Sequence, residues 1–457
     1  MAAALRTLRA RLAGTIKPGI DSRRELILIG CAACFVGLSA LGLVLALPQR
    51  MDVLPAYAVW LATAAGLHLL LDRLLPERDP YLMPIILLLS GWGLVLIARL
   101  APPFLSRQMI WLVISGVALV AVLFLPASLR WLRRYRYTWL LFGLMLLGAT
   151  ILLGVNPSGA TSAPRLWLDF GVIFLQPSEL LKLLLIAFLA SYLADKRDML
   201  VSSPPRILGL RLPPLPALAP LLLMWGFCIV LLVWQRDLGA ASLFFMIFLL
   251  MLYVATEQAG YLVVGGLMLV MAGGIGYFLY SVVRLRVDTW WNPWPEAADR
   301  AFQIVQSLIA VASGGVLGAG VGQGSPTFVP VVHSDFVFAA VSEEWGLIGA
   351  LAVVACFAIL VGRAFLIAQR NVERAFRALL AAGIGISIGS QALLIMAGVL
   401  KIVPLTGVTL PFLSYGGSSL LSSYVMFALL LRLSAPVHAP AAEAGQIERL
   451  PEPDLSL

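Results

Sequence analysis

Long runs of apolar residues recur along almost the whole chain, separated by short polar stretches. A helix needs about 20 apolar residues to cross the roughly 30 Å hydrocarbon core of a bilayer. The strands of a membrane barrel would instead be about ten residues long and alternate in polarity. The runs therefore predict an all-α polytopic membrane protein with twelve transmembrane helices, at about 26–47, 53–71, 81–99, 108–125, 137–154, 177–194, 217–234, 239–256, 261–283, 336–362, 378–399 and 416–432.

The overall composition supports a membrane protein. Of the 457 residues, 61% are hydrophobic and 12% are charged, whereas a soluble domain averages about 25% charged residues. This deficit excludes a water-soluble enzyme, a nucleic-acid-binding module and a disordered scaffold. The net charge of +9 is interpreted as topological and not as a signal for nucleic acid.

The basic residues orient the chain in the membrane. Arginine and lysine accumulate in the short cytoplasmic loops of membrane proteins. The N-terminal segment and every second loop after it carry most of these residues, for example Arg130, Arg133, Arg134 and Arg136. Because an even number of spans returns the chain to the same side, both termini are predicted to be cytoplasmic.

The first long extracytoplasmic loop, about 155–176, leads into a span that begins with charged residues. Ser178 is expected to cap this helix, and Glu179 would be favoured near its positive end. Lys182 follows three residues later and lies on the same helix face, so the two charges can pair. A structural ion pair is one interpretation, but charges within a span usually indicate function. We expect a mixed role.

The second long extracytoplasmic loop, about 284–335, is expected to be functional because loops of this length are uncommon inside compact proteins. Glu296 and Asp299 lie near its start, followed by an amphipathic stretch at 302–311. A glycine-rich run at 314–324 lacks the spacing of a nucleotide-binding loop and predicts close backbone packing or mobility. Three tryptophans are expected to anchor the loop at the interface, with ligand contact as the alternative: Trp290, Trp291 and Trp294.

Further polar residues follow this loop. His333 and Asp335 are of metal-ligand type, but no third ligand is fixed by the spacing, so we assign no metal site. Glu343 and Glu344 form a carboxylate pair that is expected about two turns into the next span. The glycines and serines of 411–419 predict non-helical backbone at membrane depth, which is tolerated where it lines protein or a cavity.

The polar residues outside the topological pattern gather near the extracytoplasmic leaflet. The carboxylates could transfer protons, and the cations could bind an anionic group. Such a site would suit a phosphate-bearing lipid that is processed outside the cytoplasm. The residues expected there are Arg165, Glu179, Lys182, Gln235, Arg236, Asp237, Glu296, Asp299, His333 and Asp335.

Several motifs between about 150 and 433 resemble, in order, the signatures of the SEDS family (shape, elongation, division and sporulation), which contains proteins like RodA, FtsW and SpoVE. The similar segments are Arg165-Leu-Trp167 with Gln176-Pro-Ser-Glu179 and Lys182; Gln235-Arg-Asp237-Leu-Gly239; Val332-His333-Ser-Asp335 with Glu343-Glu344-Trp-Gly346; and Pro411-Phe-Leu-Ser414-Tyr-Gly416-Gly417-Ser418-Ser419.

The resemblance implies an inverting peptidoglycan glycosyltransferase that polymerises lipid II at the outer leaflet of the bacterial plasma (inner) membrane, for cell elongation or division. It also implies a class B penicillin-binding protein as partner, besides membrane lipids. No cofactor is required by it, although a divalent cation, Mg²⁺ or Mn²⁺, could assist. The implied substrate-binding residues are Arg165, Trp167, Glu179, Lys182, Gln235, Asp237, His333, Asp335, Glu343, Ser414, Gly416, Gly417 and Ser418.

The reaction implied by the family begins when a carboxylate deprotonates the 4-hydroxyl of the acceptor's N-acetylglucosamine. The oxygen then attacks C1 of the donor's N-acetylmuramic acid, and undecaprenyl pyrophosphate leaves. At the position of the family's catalytic aspartate this chain has Glu296, while Asp299 replaces a glycine. We favour Glu296 as the base, since glutamate is one methylene longer and still basic. Asp299, through a local shift, and a weakened or inactive paralogue are the alternatives.

A second departure from the family is a pair of extra spans before the first motif. The predicted organisation is a basic cytoplasmic N-terminus (1–25), N-terminal transmembrane helices (26–135), a glycosyltransferase core (136–433) and a disordered cytoplasmic tail (434–457). A flippase for a lipid-linked precursor and a non-catalytic cell-wall synthase scaffold are the competing functions. A flippase would need charges along its whole path, whereas here they gather at one face.

Overall fold

The computed structural model describes residues 20–125, 129–156, 165–171, 174–202, 206–207, 210–211, 215–235 and 237–436. Most of the basic N-terminus and of the tail predicted to be disordered therefore lie outside the described residues. The described helices are α1 (Ile20–Ala46), α2 (Val53–Leu74), α3 (Leu82–Leu100), α4 (Leu105–Leu123), α5 (Arg130–Arg134), α6 (Arg136–Leu153), α7 (Pro177–Ser202), α8 (Leu215–Trp234), α9 (Leu238–Thr256), α10 (Gly260–Leu279), α11 (Ser281–Trp291), α12 (Phe302–Ser313), α13 (Val337–Glu344), α14 (Gly346–Arg370), α15 (Ala375–Val399) and α16 (Gly417–Ser434).

The helical architecture confirms the predicted polytopic all-α fold. Within the described residues, eleven helices are long and apolar enough to cross a membrane. The remaining predicted span coincides with α8, which is 20 residues long. Two small antiparallel ribbons complete the structure, and they pair β1 (Leu168–Asp169) with β2 (Phe174–Leu175) and β3 (Arg206–Ile207) with β4 (Leu210–Arg211).

The differences from the predicted helix boundaries that matter for the site lie at the two ends of the long loop. The long loop begins with α11, because the extended backbone at Tyr280 turns the chain after α10. The span predicted from residue 336 is divided into α13 and α14 at Gly346, whose φ of +65° favours glycine. Glu343 and Glu344 therefore end a short separate helix, and the expectation that they lie two turns within a span is wrong.

The core is built from helices that are largely enclosed by others. Helices α3, α7 and α15 are the most buried spans, whereas α10 has the smallest share of buried residues. The N-terminal helices pack on α3: the Trp60 indole donates to the Leu87 carbonyl at 3.0 Å, and its ring lies against Gly91. Helices α1 and α2 therefore form one body with the core.

Buried charges connect the start of α1 to the end of α2 and the segment that follows it. The Arg78 guanidinium donates to both carboxylate oxygens of Glu25, at 2.9 and 2.6 Å, and His68 Nδ1 lies 2.9 Å from Glu25 Oε1. Asp79 pairs with Arg363 of α14. Removing one partner of a buried pair costs about 3–5 kcal/mol, because the other charge is left without compensation. These contacts fix α1 and α2 to the rest of the molecule.

Candidate functional site

The first motif places a buried ion pair at the start of α7. Pro177 occupies the first helical position, where its missing N–H is not needed, so the expectation that Ser178 caps the helix is wrong. Lys182 is 1% exposed, and its Nζ lies 2.8 Å from Glu179 Oε2 and 2.6 Å from Gln391 Oε1. The Ser422 hydroxyl donates to the same Glu179 oxygen at 2.9 Å. Helices α7, α15 and α16 are joined by this network.

Asp237 stands beside this pair at the start of α9. Its Oδ1 accepts the N–H of Ala240 at 3.1 Å, so the carboxylate caps the helix. Asp237, Glu179 and Lys182 line a cavity of about 50 Å³ together with Gly407. The structure thus brings together three of the residues that the sequence predicted.

Asp335 and Arg286 meet on the other side of Gly407. A Cβ added to Gly407 would lie 3.2 Å from Arg286 Nη2 and 3.6 Å from Asp335 Oδ2, and its φ is +76°. The arginine also donates to the Thr406 carbonyl at 2.8 Å, and the Ser334 hydroxyl donates to Asp335 Oδ1 at 2.6 Å. Glycine at 407 therefore permits both charged groups to approach this loop.

The electrostatic environment of these groups is set by burial. Burial raises the pKa of the Asp335 carboxyl, against the opposing influence of the Ser334 hydroxyl and of Arg286. Burial likewise raises the pKa of Asp237, to which Arg286 contributes in the opposite direction. The Arg286 pKa is lowered by burial, although both carboxylates favour its charged form. Arg286 is therefore the common cation of two buried acids.

A second cavity, of about 200 Å³, opens on Arg286 and is named the Arg286 cavity below. Its cationic side chains would suit an anionic group such as a phosphate. Neither Glu296 nor Asp299 lines it, but the Glu296 carboxylate lies 3.2 Å from Arg300 Nε, which does. The polar residues of its wall are Arg286, Thr289, Arg300, Gln303, Asp335 and Lys401.

An apolar groove of about 560 Å³ reaches the same point from the membrane-spanning helices. It lies between α8, α9, α10 and α11 and is lined almost entirely by aliphatic and aromatic side chains, among them Trp225, Phe245 and Met268. Arg286 and Leu405 line both this groove and the Arg286 cavity. The combination is an amphiphilic site, with an apolar channel that ends at clustered charges.

Some predicted residues lie elsewhere. Arg165 is exposed, and Trp167 exchanges backbone hydrogen bonds with Val155. The Gln235 amide donates at 2.6 Å to the Leu147 carbonyl, within the second half of α6. None of these three lines the groove or the two cavities. Their assignment to substrate binding stays a prediction.

The last motif makes hydrogen bonds to the segments that carry Asp335 and the first motif. The Ser414 hydroxyl donates to the Ser334 carbonyl at 2.7 Å, next to Asp335. Ser418 accepts the N–H of Gln176 at 2.9 Å, before the first motif. Gly416 precedes α16, and Gly417 faces the indole of Trp111 so closely that a side chain would not fit. Of the stretch 411–419 that was predicted to be non-helical, residues 411–416 are non-helical, whereas 417–419 already belong to α16.

His333 and Glu343 make contacts outside the cavities. The His333 ring packs against Phe104 and Tyr415, at centroid distances of 5.3 and 5.8 Å, and burial lowers its pKa. Glu343 Oε1 accepts the N–H of Ser325 at 2.7 Å, at the end of the glycine-rich run. Both stay predictions as substrate-binding residues.

The part of the chain that the structure describes contains no cluster of side chains of the metal-ligand type. No three His, Cys, Asp or Glu side chains come together there in a way that could hold a metal ion.

Arg286 is a functional candidate that the sequence alone does not indicate. By sequence it resembles the basic residues that orient the chain in the membrane. The signal that could have identified it is its place directly after the last turn of a span, two residues from Arg284, at the start of the long loop.

Asp237→Asn is expected to raise the Tm at about pH 7.5. A carboxyl whose pKa is raised by folding stabilises the protein at low pH, and this contribution is lost as the pH rises through the folded pKa. Asparagine caps a helix about as well as aspartate, so the variant removes the charge and keeps the cap. Thermal unfolding in detergent should show the difference from wild type vanishing towards about pH 4, near the ordinary pKa of aspartate.

Asp288→Asn, at an exposed position of α11, serves as the control and should leave the Tm unchanged at both pH values. A lower Tm of Asp237→Asn at neutral pH would contradict the expectation.

Comparison with known proteins supplies a context for this geometry. A family model described as "Cell cycle protein" (FTSW_RODA_SPOVE) matches residues 85–438. The peptidoglycan glycosyltransferase RodA of Mycobacterium tuberculosis is 36% identical over 452 residues, which cover 95% of each chain. Stage V sporulation protein E of Bacillus subtilis is 32% identical over 338 residues, covering 72% of this chain and 87% of that protein.

Solved structures show the same fold. The rod shape determining protein RodA of Thermus thermophilus matches with a TM-score of 0.55 and 24% identity, over 78% of this chain and 96% of that one. A chain from a structure described as "Structural coordination of polymerization and crosslinking by a peptidoglycan synthase complex" matches with a TM-score of 0.64 and 24% identity, over 78% and 97%. At these identities the likeness concerns the fold alone.

Proposed function

Because this chain belongs to the family of cell cycle proteins that includes FtsW, RodA and SpoVE, we propose that it is a peptidoglycan glycosyltransferase that polymerises lipid II into glycan strands. The Mycobacterium tuberculosis relative, similar along 95% of both chains, carries the name of this activity. Elongation and division are both compatible with the family. The multi-pass fold places the enzyme in a membrane, which we propose to be the bacterial plasma membrane, with both termini in the cytoplasm.

The observation that carries the proposal is the meeting of the apolar groove and the Arg286 cavity at one arginine. Lipid II has a polyprenyl chain joined through pyrophosphate to a disaccharide. Its chain would lie in the groove, and its pyrophosphate would reach Arg286, Arg300 and Lys401. Guanidinium groups bind phosphate oxygens through paired hydrogen bonds, which orient as well as attract them.

The proposed reaction divides its tasks among these residues. Glu296 takes the proton from the 4-hydroxyl of the acceptor sugar, and the oxygen forms a bond to C1 of the donor. The bond from C1 to the pyrophosphate oxygen breaks with inversion, and its electron pair leaves with the polyprenyl pyrophosphate. Cations fixed in advance stabilise the charge that develops there. The Thr406 carbonyl holds Arg286 in place for this role, and the charges of Asp335 and Asp237 favour its cationic form.

A class B penicillin-binding protein is the proposed partner. The structural neighbour described as part of a peptidoglycan synthase complex supports such an assembly through its fold. We also propose that no cofactor is required, with a divalent cation at most assisting, because the cavity's own cations are available to the leaving group.

The proposal is tested by giving lipid II to the purified protein with its partner and separating the products by size. Glycan strands are expected, and the rate should fall less than tenfold when EDTA is added. The function is contradicted if neither protein nor complex makes glycan while protein in liposomes moves lipid II across the bilayer, as a flippase would. A loss with EDTA that Mg²⁺ restores would overturn the cofactor proposal.

A further inference from the structure

We propose that the outer end of α1 positions the glycine-rich loop, residues 314–325, and through it the walls of the Arg286 cavity. This inference rests on the proposed function and assigns a task to the N-terminal helix pair. The family model begins at residue 85, so α1 and α2 precede the part of the chain that it matches.

The contact between α1 and the glycine-rich loop is close. A Cβ added to Gly322 would lie 3.0 Å from Ala46 Cβ and 3.4 Å from Leu43 Cδ1, and Gly322 has a φ of +76°. One residue earlier, Val321 Cβ lies 3.8 Å from the Cβ position of Gly42. Leu43 is fully buried. The tip of the loop therefore rests directly on the last turns of α1.

The opposite side of the loop is held by α13 and α3. Glu343 accepts the N–H of Ser325 at 2.7 Å, and its main-chain carbonyl accepts the N–H of Ala319 at 2.9 Å. Arg99 donates to the Gly324 carbonyl at 2.9 Å and pairs with Glu344 at 3.1 Å. The loop is thus clamped, with polar contacts on one side and the apolar surface of α1 on the other.

The position of the loop along the chain connects this clamp to the cavity. Arg300 and Gln303 line the Arg286 cavity and precede the loop in sequence. Arg300 lies just before α12, and Gln303 lies in its first turn. Asp335, which lines the same cavity, follows it. On this inference, a displacement of the loop would shift the segments on either side of it, which carry the two walls. The α1 residues touch no part of the cavity themselves, so they act as positioning residues.

Leu43→Ala tests this role, with Leu71→Ala as the matched control. Both leucines are fully buried in the N-terminal helix pair. Leu43 lies in the last turns of α1, beside the loop, whereas Leu71 lies near the C-terminal end of α2, at the other end of the pair. Leu43→Ala should lower the kcat of lipid II polymerisation by about tenfold to 10²-fold with little change in KM, since a small misplacement far from the chemistry can cost about 10²-fold. Leu71→Ala should lower the Tm comparably and keep kcat. Hydrogen exchange of residues 314–325 should rise in Leu43→Ala alone.

A disulfide provides the rescue. Gly42→Cys with Val321→Cys would join Cβ atoms 3.8 Å apart, within the usual range of about 3.5–4.5 Å. The cysteine pair is introduced into the Leu43→Ala variant, in a background without the exposed Cys31 and Cys34. Oxidation by diamide should form the disulfide and restore kcat, and reduction by dithiothreitol should lower kcat again.

Equal effects of Leu43→Ala and Leu71→Ala on kcat, or no restoration by the formed disulfide, would overturn the inference. Absence of glycan synthesis by the wild type would instead contradict the proposed function. In that case the hydrogen exchange of the loop still decides the positioning claim, since unchanged exchange in Leu43→Ala would refute it.

Discussion

Glu296→Gln is expected to lower the rate of lipid II polymerisation by about 10²–10⁴-fold, the usual contribution of a general base. Glutamine keeps the size of the side chain and its ability to contact Arg300, but it cannot accept the hydroxyl proton. The Glu296 carboxylate is half-buried and paired with an arginine of the cavity wall. This placement favours Glu296 over Asp299, which is exposed.

Asp299→Asn is the matched control, three residues away in the same turn. It should retain most of the wild-type rate, and both variants should unfold at the wild-type temperature. Full activity of Glu296→Gln together with an inactive Asp299→Asn would transfer the role of the base to Asp299. Wild-type activity in both variants would place the base elsewhere.

Arg286→Ala is expected to reduce kcat by about 10²–10³-fold, as is typical when a preorganised donor to developing charge is removed. The guanidinium lies where the groove meets the cavity and is fixed by the Thr406 carbonyl at 2.8 Å. The kcat of Arg286→Lys should lie between those of the wild type and Arg286→Ala, because lysine keeps the charge and lacks the bidentate fork of the guanidinium. Single-turnover kinetics with lipid II in detergent would measure the effect.

Loss of Arg286 also leaves buried carboxylates without their cation, so a control for folding is needed. Arg286→Ala combined with Asp335→Asn should recover the Tm of the wild type but not its activity. Arg284→Ala changes an exposed arginine on the same helix and should leave kcat unchanged. An equal decrease in kcat in Arg284→Ala and Arg286→Ala would refute the special position of Arg286.

Much of the fold follows from the apolar runs, because each is long enough to cross a bilayer and each must pair its backbone groups internally. The Glu179–Lys182 contact was also predictable, since residues three apart share a helix face. The division between α13 and α14 was not, because it depends on the left-handed backbone of Gly346 and its close packing against Gly318.

The composition of the site was predicted less completely than the fold. Asp237 and Asp335 were identified from motifs, but the arginine between them has the same sequence signal as a topological charge. Arg286 and Asp335 meet because the Thr406–Gly407 turn, more than a hundred residues from Arg286 along the chain, approaches both. Contacts between residues so far apart in sequence depend on how the helices pack, which cannot be derived from the spacing of residues.

Photo-cross-linking of lipid II tests most directly whether one amphiphilic donor occupies both the groove and the Arg286 cavity. A diazirine in the polyprenyl chain should label groove residues such as Trp225, Phe245 and Met268, identified by mass spectrometry. Arg286→Ala should reduce this labelling, and unlabelled lipid II should compete for it. Labels confined to helices outside the groove, or labelling that neither Arg286→Ala nor competitor reduces, would contradict the proposed site.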